Sequence, residues 1–183
     1  MKKRKNITAI ILLLVIALTS ALSCKKTTST RKPSDDGNKP TAVEWTDSYL
    51  VKNGVGNYTA VLPDNADARA QKAYDELAEF FTRATGSIID LKTESEVSYS
   101  DGAKLIILGK CERLWQAAGF APDTDELGLN GFILKTVGDN MFVAGGTQYG
   151  TLFGVYEILR YEFGYEAYST SCVQIDTGVR DKR

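Results

Sequence analysis

Between Asn130 and Gly164 the hydrophobic positions change period, and the change marks out three elements. Phe132, Leu134 and Thr136 alternate with Ile133, Lys135 and Val137, the two-residue period of a strand. Gly138-Asp139-Asn140 offers residues that tolerate positive φ in a hairpin turn, and Met141 to Ala144 runs back as a second strand. Gly145-Gly146 breaks that strand, and Thr147 is placed to cap a helix. Leu152, Val155, Tyr156, Leu159 and Phe163 then recur at three- and four-residue spacing and form one apolar face, which Gly164 terminates. The pattern predicts a hairpin with a helix laid across it.

The same periods order the rest of the chain. Ser48 to Val51 and Tyr58 to Leu62 are β-prone runs, with Lys52-Asn53-Gly54 between them as a hairpin-type connection. Pro63-Asp64 ends the second run and leads into a helix whose apolar stripe is Ala70, Ala73, Tyr74, Leu77, Ala78, Phe81 and Ala84, closed by Gly86. Ile88 to Leu91 and Lys104 to Leu108 read as strands. Cys111 to Ala118 reads as a short helix with Leu114, Trp115 and Ala118 inward, and Tyr165 to Tyr168 and Val173 to Ile175 as extended segments. Strands joined sometimes by helices and sometimes by tight turns imply a mixed β-sheet. With two main helices on one face, the fold class is an α/β (α+β) two-layer sandwich.

The chain ends divide it further. Lys2, Lys3, Arg4 and Lys5 precede an apolar run from Ile7 to Leu18, the layout of a secretory signal and too short for a comfortable membrane span. Residues 25–41 contain no large apolar side chain and are expected to form a flexible tether. The domain reading is therefore residues 1–23 signal peptide, 24–44 tether, 45–176 folded domain and 177–183 charged tail. Taking the four leader cations from the 22 basic residues leaves 18 against 23 acidic ones, a mature charge of about −5. No basic stripe exists to neutralise phosphates, so a nucleic-acid partner is not expected. The chain contains no histidine, which removes Ser-His and Cys-His catalysis and histidine-ligated metals.

Several stretches invite a chemical reading. Gly145 to Thr151 runs from a strand into a helix start, as phosphate cradles do. It matches neither Gly-x-Gly-x-x-Gly nor a Gly-Lys-Ser/Thr loop, and a tight bend accounts for its glycines. Asp75, Glu76 and Glu79 lie off the apolar stripe and read as a solvated helix face. Asp123, Asp125 and Glu126 lack the spacing of a calcium loop. No cofactor and no metal are expected, and no catalytic residue is assigned. Cys111 and Cys172 are candidates for a disulfide, which at that loop length would stabilise by about 4 kcal/mol; two buried free thiols are the alternative. Trp45 and Tyr149 are the aromatic residues that the pattern does not place in a core, and are candidates for glycan or partner contact.

Two resemblances follow from these segments. Ala21-Leu22-Ser23-Cys24 resembles a bacterial lipoprotein processing box, although Ala21 stands where that family more often has leucine. The resemblance implies cleavage before a lipidated Cys24 and anchoring in the cell envelope, periplasmic or at the cell surface; an uncleaved signal anchor is the alternative. The folded part, from about Tyr49 to Tyr168, resembles the N-terminal non-catalytic α/β domain of bacterial β-hexosaminidase and α-glucuronidase-like glycoside hydrolases. The carrying residues are Tyr49 to Gly54, Ala73 to Gly86, Leu105 to Gly109, and above all Asn130 to Asn140 with the glycine-led helix after it. In that family the reacting carboxylates lie in a barrel C-terminal to this domain. A (β/α)₈ barrel needs roughly 200 residues, and the sequence after Tyr168 is far shorter. The implied function is a non-catalytic accessory domain of a glycan-processing system, with a glycan or a catalytic barrel protein as partner. The alternative is a truncated glycoside hydrolase lacking its C-terminal barrel.

Overall fold

The computed structural model describes residues 48–183; Trp45 and Cys24 lie outside them. The first elements are β1 (Val51–Lys52) and β2 (Val55–Gly56), an antiparallel hairpin. Its two turn residues, Asn53 and Gly54, both have positive φ (54° and 77°), as a right-twisted two-residue hairpin turn requires. The sequence pattern had paired the 48–51 run with the 58–62 run instead. The structure differs because the turn closes within Lys52 to Val55, which leaves β3 (Thr59–Leu62) free to enter a separate sheet. The charged tail returns to this hairpin: Val51 and Lys182 exchange backbone hydrogen bonds of 3.2 and 2.9 Å, and Gly54 N–H donates to Arg180 O at 2.8 Å.

After β3 come α1 (Ala68–Thr85), β4 (Asp90–Thr93), β5 (Leu105–Leu108), α2 (Glu112–Ala117), β6 (Phe132–Val137), β7 (Asn140–Gly145) and α3 (Gln148–Phe163). The five-stranded sheet has the order β4-β3-β5-β7-β6. Its first four strands are parallel, and β6 joins the edge antiparallel through its hairpin with β7. A second hairpin, β8 (Glu166–Ser169) with β9 (Cys172–Gln174), stands apart from this sheet.

Alternation along the central strands splits the core in two. Ala60, Leu62, Ile106, Leu108 and Val143 meet α1 and α3 on one face; Val61, Leu105, Ile107, Phe142 and Ala144 meet Leu114 and Trp115 of α2 and Phe120 on the other. Every residue of β5, Leu-Ile-Ile-Leu, is buried because both of its faces are covered. The two long helices share one face, as the sequence pattern implies, and lie against each other with Phe81 and Phe163 edge to face at 5.6 Å.

Both long helices are terminated by their own sequence. Asp67 accepts from Arg69 N and Ala70 N at 2.9 Å to cap α1, and Gly86 closes it at φ 75°. Thr147 caps α3 by accepting from Tyr149 N at 3.1 Å, and Gly164 closes it at φ 64°. Asn140, which the sequence placed in a turn, is fully buried. Its side-chain oxygen accepts from Leu105 N at 3.1 Å and its amide donates to Ser100 O at 2.8 Å, fixing the start of β5 beside β7.

Candidate functional site

The parallel strands β3, β5 and β7 end side by side at Leu62, Leu108 and Gly145. Beyond them lies a crevice of about 520 Å³, lined by Pro63, Gly109, Lys110, Gly146 and the first turn of α3. Its position has a topological cause. From β3 the chain crosses through α1 to β4 on one side, then returns to β5 on the other, and open α/β sheets bind ligands where the direction of winding reverses. The glycine-rich stretch Gly145 to Thr151 forms one wall, so the stretch singled out in the sequence does sit at the fold's natural ligand position.

Packing explains its glycines all the same. A Cβ on Gly146 would fall on the carbonyl oxygen of Gly128, one on Gly150 on that of Gly131, and one on Gly145 on the amide nitrogen of Thr151. The loop between α2 and β6 therefore presses its backbone onto the start of α3. Gly146 N–H donates to Gly131 O at 3.0 Å, and the Thr147 hydroxyl donates to Leu129 O at 2.7 Å. None of these three glycines has positive φ. They are required for close approach of two backbone segments rather than for a left-handed turn.

Three charged groups of the crevice, Glu94, Lys110 and Glu112, are engaged with one another or with backbone. Lys110 Nζ lies 2.9 Å from Glu112 Oε1, and this carboxylate holds the Lys110 ammonium above its ordinary value of 10.5. A neutral amine nucleophile is thus disfavoured. Glu94 accepts from Leu114 N at 3.1 Å at the start of α2. In the acidic loop Asp123 accepts from Asp125 N and Glu126 N at 3.1 and 3.3 Å, so its carboxylate closes a local turn. Among the described residues no group of three or more His, Cys, Asp or Glu side chains is arranged to hold a metal ion.

The remaining sequence candidates are dispersed. Tyr149 is exposed at the first turn of α3, with the Arg69 guanidinium 4.5 Å above its ring. Cys111 and Cys172 are free and not joined. Cys111 is buried at the N-cap of α2, where desolvation pushes its thiol far above its ordinary value, whereas Cys172 is exposed on β9. The alternative of two buried thiols also fails at Cys172, because along β9 Val173 turns to the core and Cys172 to the opposite, exposed side. Glu76, read as solvated, is only 9% exposed. It pairs with Lys72 one turn earlier and faces the Tyr156 phenol, whose proton is held by burial and by this carboxylate. The sequence missed Glu76 because helical spacing does not show that α3 and Tyr165 close over that side of α1.

Comparison with known proteins bears on this fold directly. No curated protein sequence matches the chain. A solved structure similar to it is a novel family GH115 4-O-methyl-α-glucuronidase, with specificity for decorated arabinogalactans, at 20% identity and a TM-score of 0.46. The similarity covers 61% of this chain and 14% of that one, so the chain spans a small part of that enzyme's length. The family model described as glycosyl hydrolase family 67 N-terminus matches residues 50–158. That match runs from the residue before β1 into the last turns of α3 and includes all five strands of the main sheet. It concerns the non-catalytic N-terminal domain of these hydrolases. The chain belongs to the family of glycosyl hydrolase family 67 N-terminal domains.

Proposed function

We propose that this domain is a non-catalytic accessory module of an envelope glycan-processing system, carried on a lipid anchor at Cys24 and working beside a catalytic barrel. The observation that carries the reading is the family match over residues 50–158, which covers the first hairpin, the five-stranded sheet, α1, α2 and most of α3. The crevice supports it: Lys110 is paired with Glu112, and Glu94 accepts a backbone N–H at the start of α2. The basic leader followed by an apolar run and Ser23-Cys24 supports the anchor.

Two measurements test this. The purified chain is expected to release no aryl group from 4-nitrophenyl glycosides of N-acetylglucosamine or glucuronic acid; turnover abolished by substitution within this chain would overturn the accessory role. In bacterial cells the wild type is expected in the membrane fraction and Cys24→Ser in the soluble envelope fraction. Equal membrane retention of both would overturn lipid anchoring.

A further inference from the structure

The outer side of the helix pair, away from the sheet, carries a feature that neither the fold nor the crevice uses. Tyr165 leaves the end of α3 and lies between the helices. It stacks on Tyr156 of α3 at 5.3 Å and 15°, and meets Phe80 of α1 edge to face at 4.7 Å. The β8–β9 hairpin continues from it, and a groove opens on each side of β8, of about 650 Å³ toward α1 and about 530 Å³ toward α3. Tyr156, Tyr165 and Tyr168 line both grooves, so the two share an aromatic floor. Tyr168 is 64% exposed and Phe153, in the second groove, 39%. These volumes fall in the ordinary range of ligand clefts.

The first groove has polar groups in its walls, and the second is lined mainly by apolar surface. Ser169, Thr170 and Ser171 bring hydroxyls to the rim of the first groove, and Glu76 enters it although that residue is nine-tenths buried. A carboxylate is rarely buried so far without a specific partner; here it has Lys72 and Tyr156 and still borders open space. Across both grooves four carboxylates (Glu76, Glu79, Glu157 and Glu166) stand against Arg83, Arg160 and the Lys72 that pairs with Glu76, which leaves Glu166, bonded by the Tyr168 hydroxyl, without a cation. Arg160 is held by Glu157 at 2.6 Å, and Arg83 lies 3.7 Å from Glu79. The cations are therefore engaged and the surplus is acidic. An anionic ligand meets repulsion. A ligand with apolar C–H faces and a rim of hydroxyl donors meets rings on its faces and acceptors at its edge.

We propose that the paired grooves flanking β8 bind a neutral pyranose oligosaccharide, with Tyr168 as the exposed stacking ring and Glu76 as a hydroxyl acceptor. The proposal deepens the accessory-domain reading but depends on neither Cys24 nor a barrel. Loss of this site with anchoring and lack of turnover intact would remove the sugar site alone.

The test is calorimetric titration of the full chain with xylohexaose, mannohexaose and chitohexaose as neutral probes and hexagalacturonate as the anionic one. At least one neutral hexamer is expected to bind with sub-millimolar affinity, and hexagalacturonate at least about tenfold more weakly. Tyr168→Ala is expected to weaken the neutral ligand about tenfold, with an unchanged far-ultraviolet spectrum because the side chain is exposed. Phe153→Ala provides a second reading from the other groove, and Tyr149→Ala, beside the crevice, is expected to leave affinity unchanged. Absence of binding by all three neutral hexamers at millimolar concentration overturns the proposal. So does preference for hexagalacturonate, an equal loss in Tyr149→Ala, or a dimer in sedimentation that Tyr168→Ala dissolves, which would make the surface an interface between copies.

Discussion

The two long helices lie side by side on one face of the same sheet, yet they are built on different plans. α1 buries Ala70, Ala73, Leu77, Phe81 and Ala84 as a single stripe, with Glu76 buried beside it, and presents Lys72, Glu79 and Arg83 to solvent, paired as Lys72–Glu76 and Glu79–Arg83 at one-turn spacing. α3 buries Val155, Ile158, Leu159 and Phe163, but also exposes Tyr149, Phe153 and Tyr161. Its inner side carries glycines, and a Cβ on Gly154 would lie 2.6 Å from Val143 Cγ1. Beyond its contacts with the sheet, α3 and Tyr165, α1 meets water through charged side chains. α3 is apolar on more than one side, the composition of a helix with neighbours on both. One neighbour is the β6–β7 hairpin, and β8 and the aromatic grooves lie on the other side.

The largest effect should appear where the helices are equal. Phe81→Ala and Phe163→Ala each remove one ring of the buried edge-to-face pair, and each is expected to cost about 3–5 kcal/mol in denaturant unfolding. The double variant should lose less than the sum, because the rings share one contact; full additivity would show that the helices are not coupled there. Gly150→Ala separates them. In an exposed α1 position an added methyl is harmless, but here it strikes Gly131 O, and a loss of about 1–3 kcal/mol is expected despite alanine's better helix propensity. An unchanged or raised midpoint would mean that the loop does not press on α3.

The caps extend the contrast at smaller magnitude. Asp67→Ala removes only the α1 cap and is expected to cost about 1 kcal/mol. Thr147→Ala also loses the hydroxyl donated to Leu129 O, and about 2 kcal/mol is expected. Equal losses would dissolve the difference. Phe153→Ser is expected to change stability by no more than about 0.5 kcal/mol, because its exposed ring has no core role; a larger loss would place it in the core after all.

The smallest effect is in the pH profile. Arg160, bonded to Glu157 at 2.6 and 2.8 Å, holds that carboxyl below its ordinary value of 4.5. Its contribution is therefore present above pH 4.5 and lost as pH falls through the folded value. The Glu76 carboxylate raises Lys72 above 10.5, so that contribution is present below pH 10.5 and lost as pH rises through the folded value. Both pairs are largely exposed at one partner and should be weak. Glu157→Gln is expected to flatten only the acid limb of the melting-temperature profile, and Lys72→Met to flatten the alkaline limb. A change in the alkaline limb for Glu157→Gln, or an unchanged alkaline limb for Lys72→Met, would contradict the assignment.

Local order was legible in the sequence because it depends on neighbours along the chain. The periodicity of 132–137, the apolar spacings of both long helices, Thr147 as a cap, and Gly86 and Gly164 as stops reappear with shifts of a residue or two. Misreadings cluster where a distant segment decides. The first hairpin closes on itself because Asn53 and Gly54 adopt a turn tight enough to leave β3 for the parallel sheet. Asn140 left the role of a turn residue because Leu105 N and Ser100 O needed its amide.

The candidate sites divide the same way. The sequence marked Gly145 to Thr151 but not Pro63, Glu94 and Lys110, which reach the same crevice only because β3, β5 and β7 end in register. Nor could it bring Tyr156, Tyr165 and Tyr168 together around Glu76, since one side of each groove is a different helix. By itself the sequence determined both long helices with their caps and stops, the β6–β7 hairpin and the family, all carried by spacing and residue type. The tertiary structure decided which glycines are closed off by backbone, which carboxylate is buried and which aromatic rings share a groove. Those properties depend on contacts between segments far apart in the chain, and no local pattern encodes them.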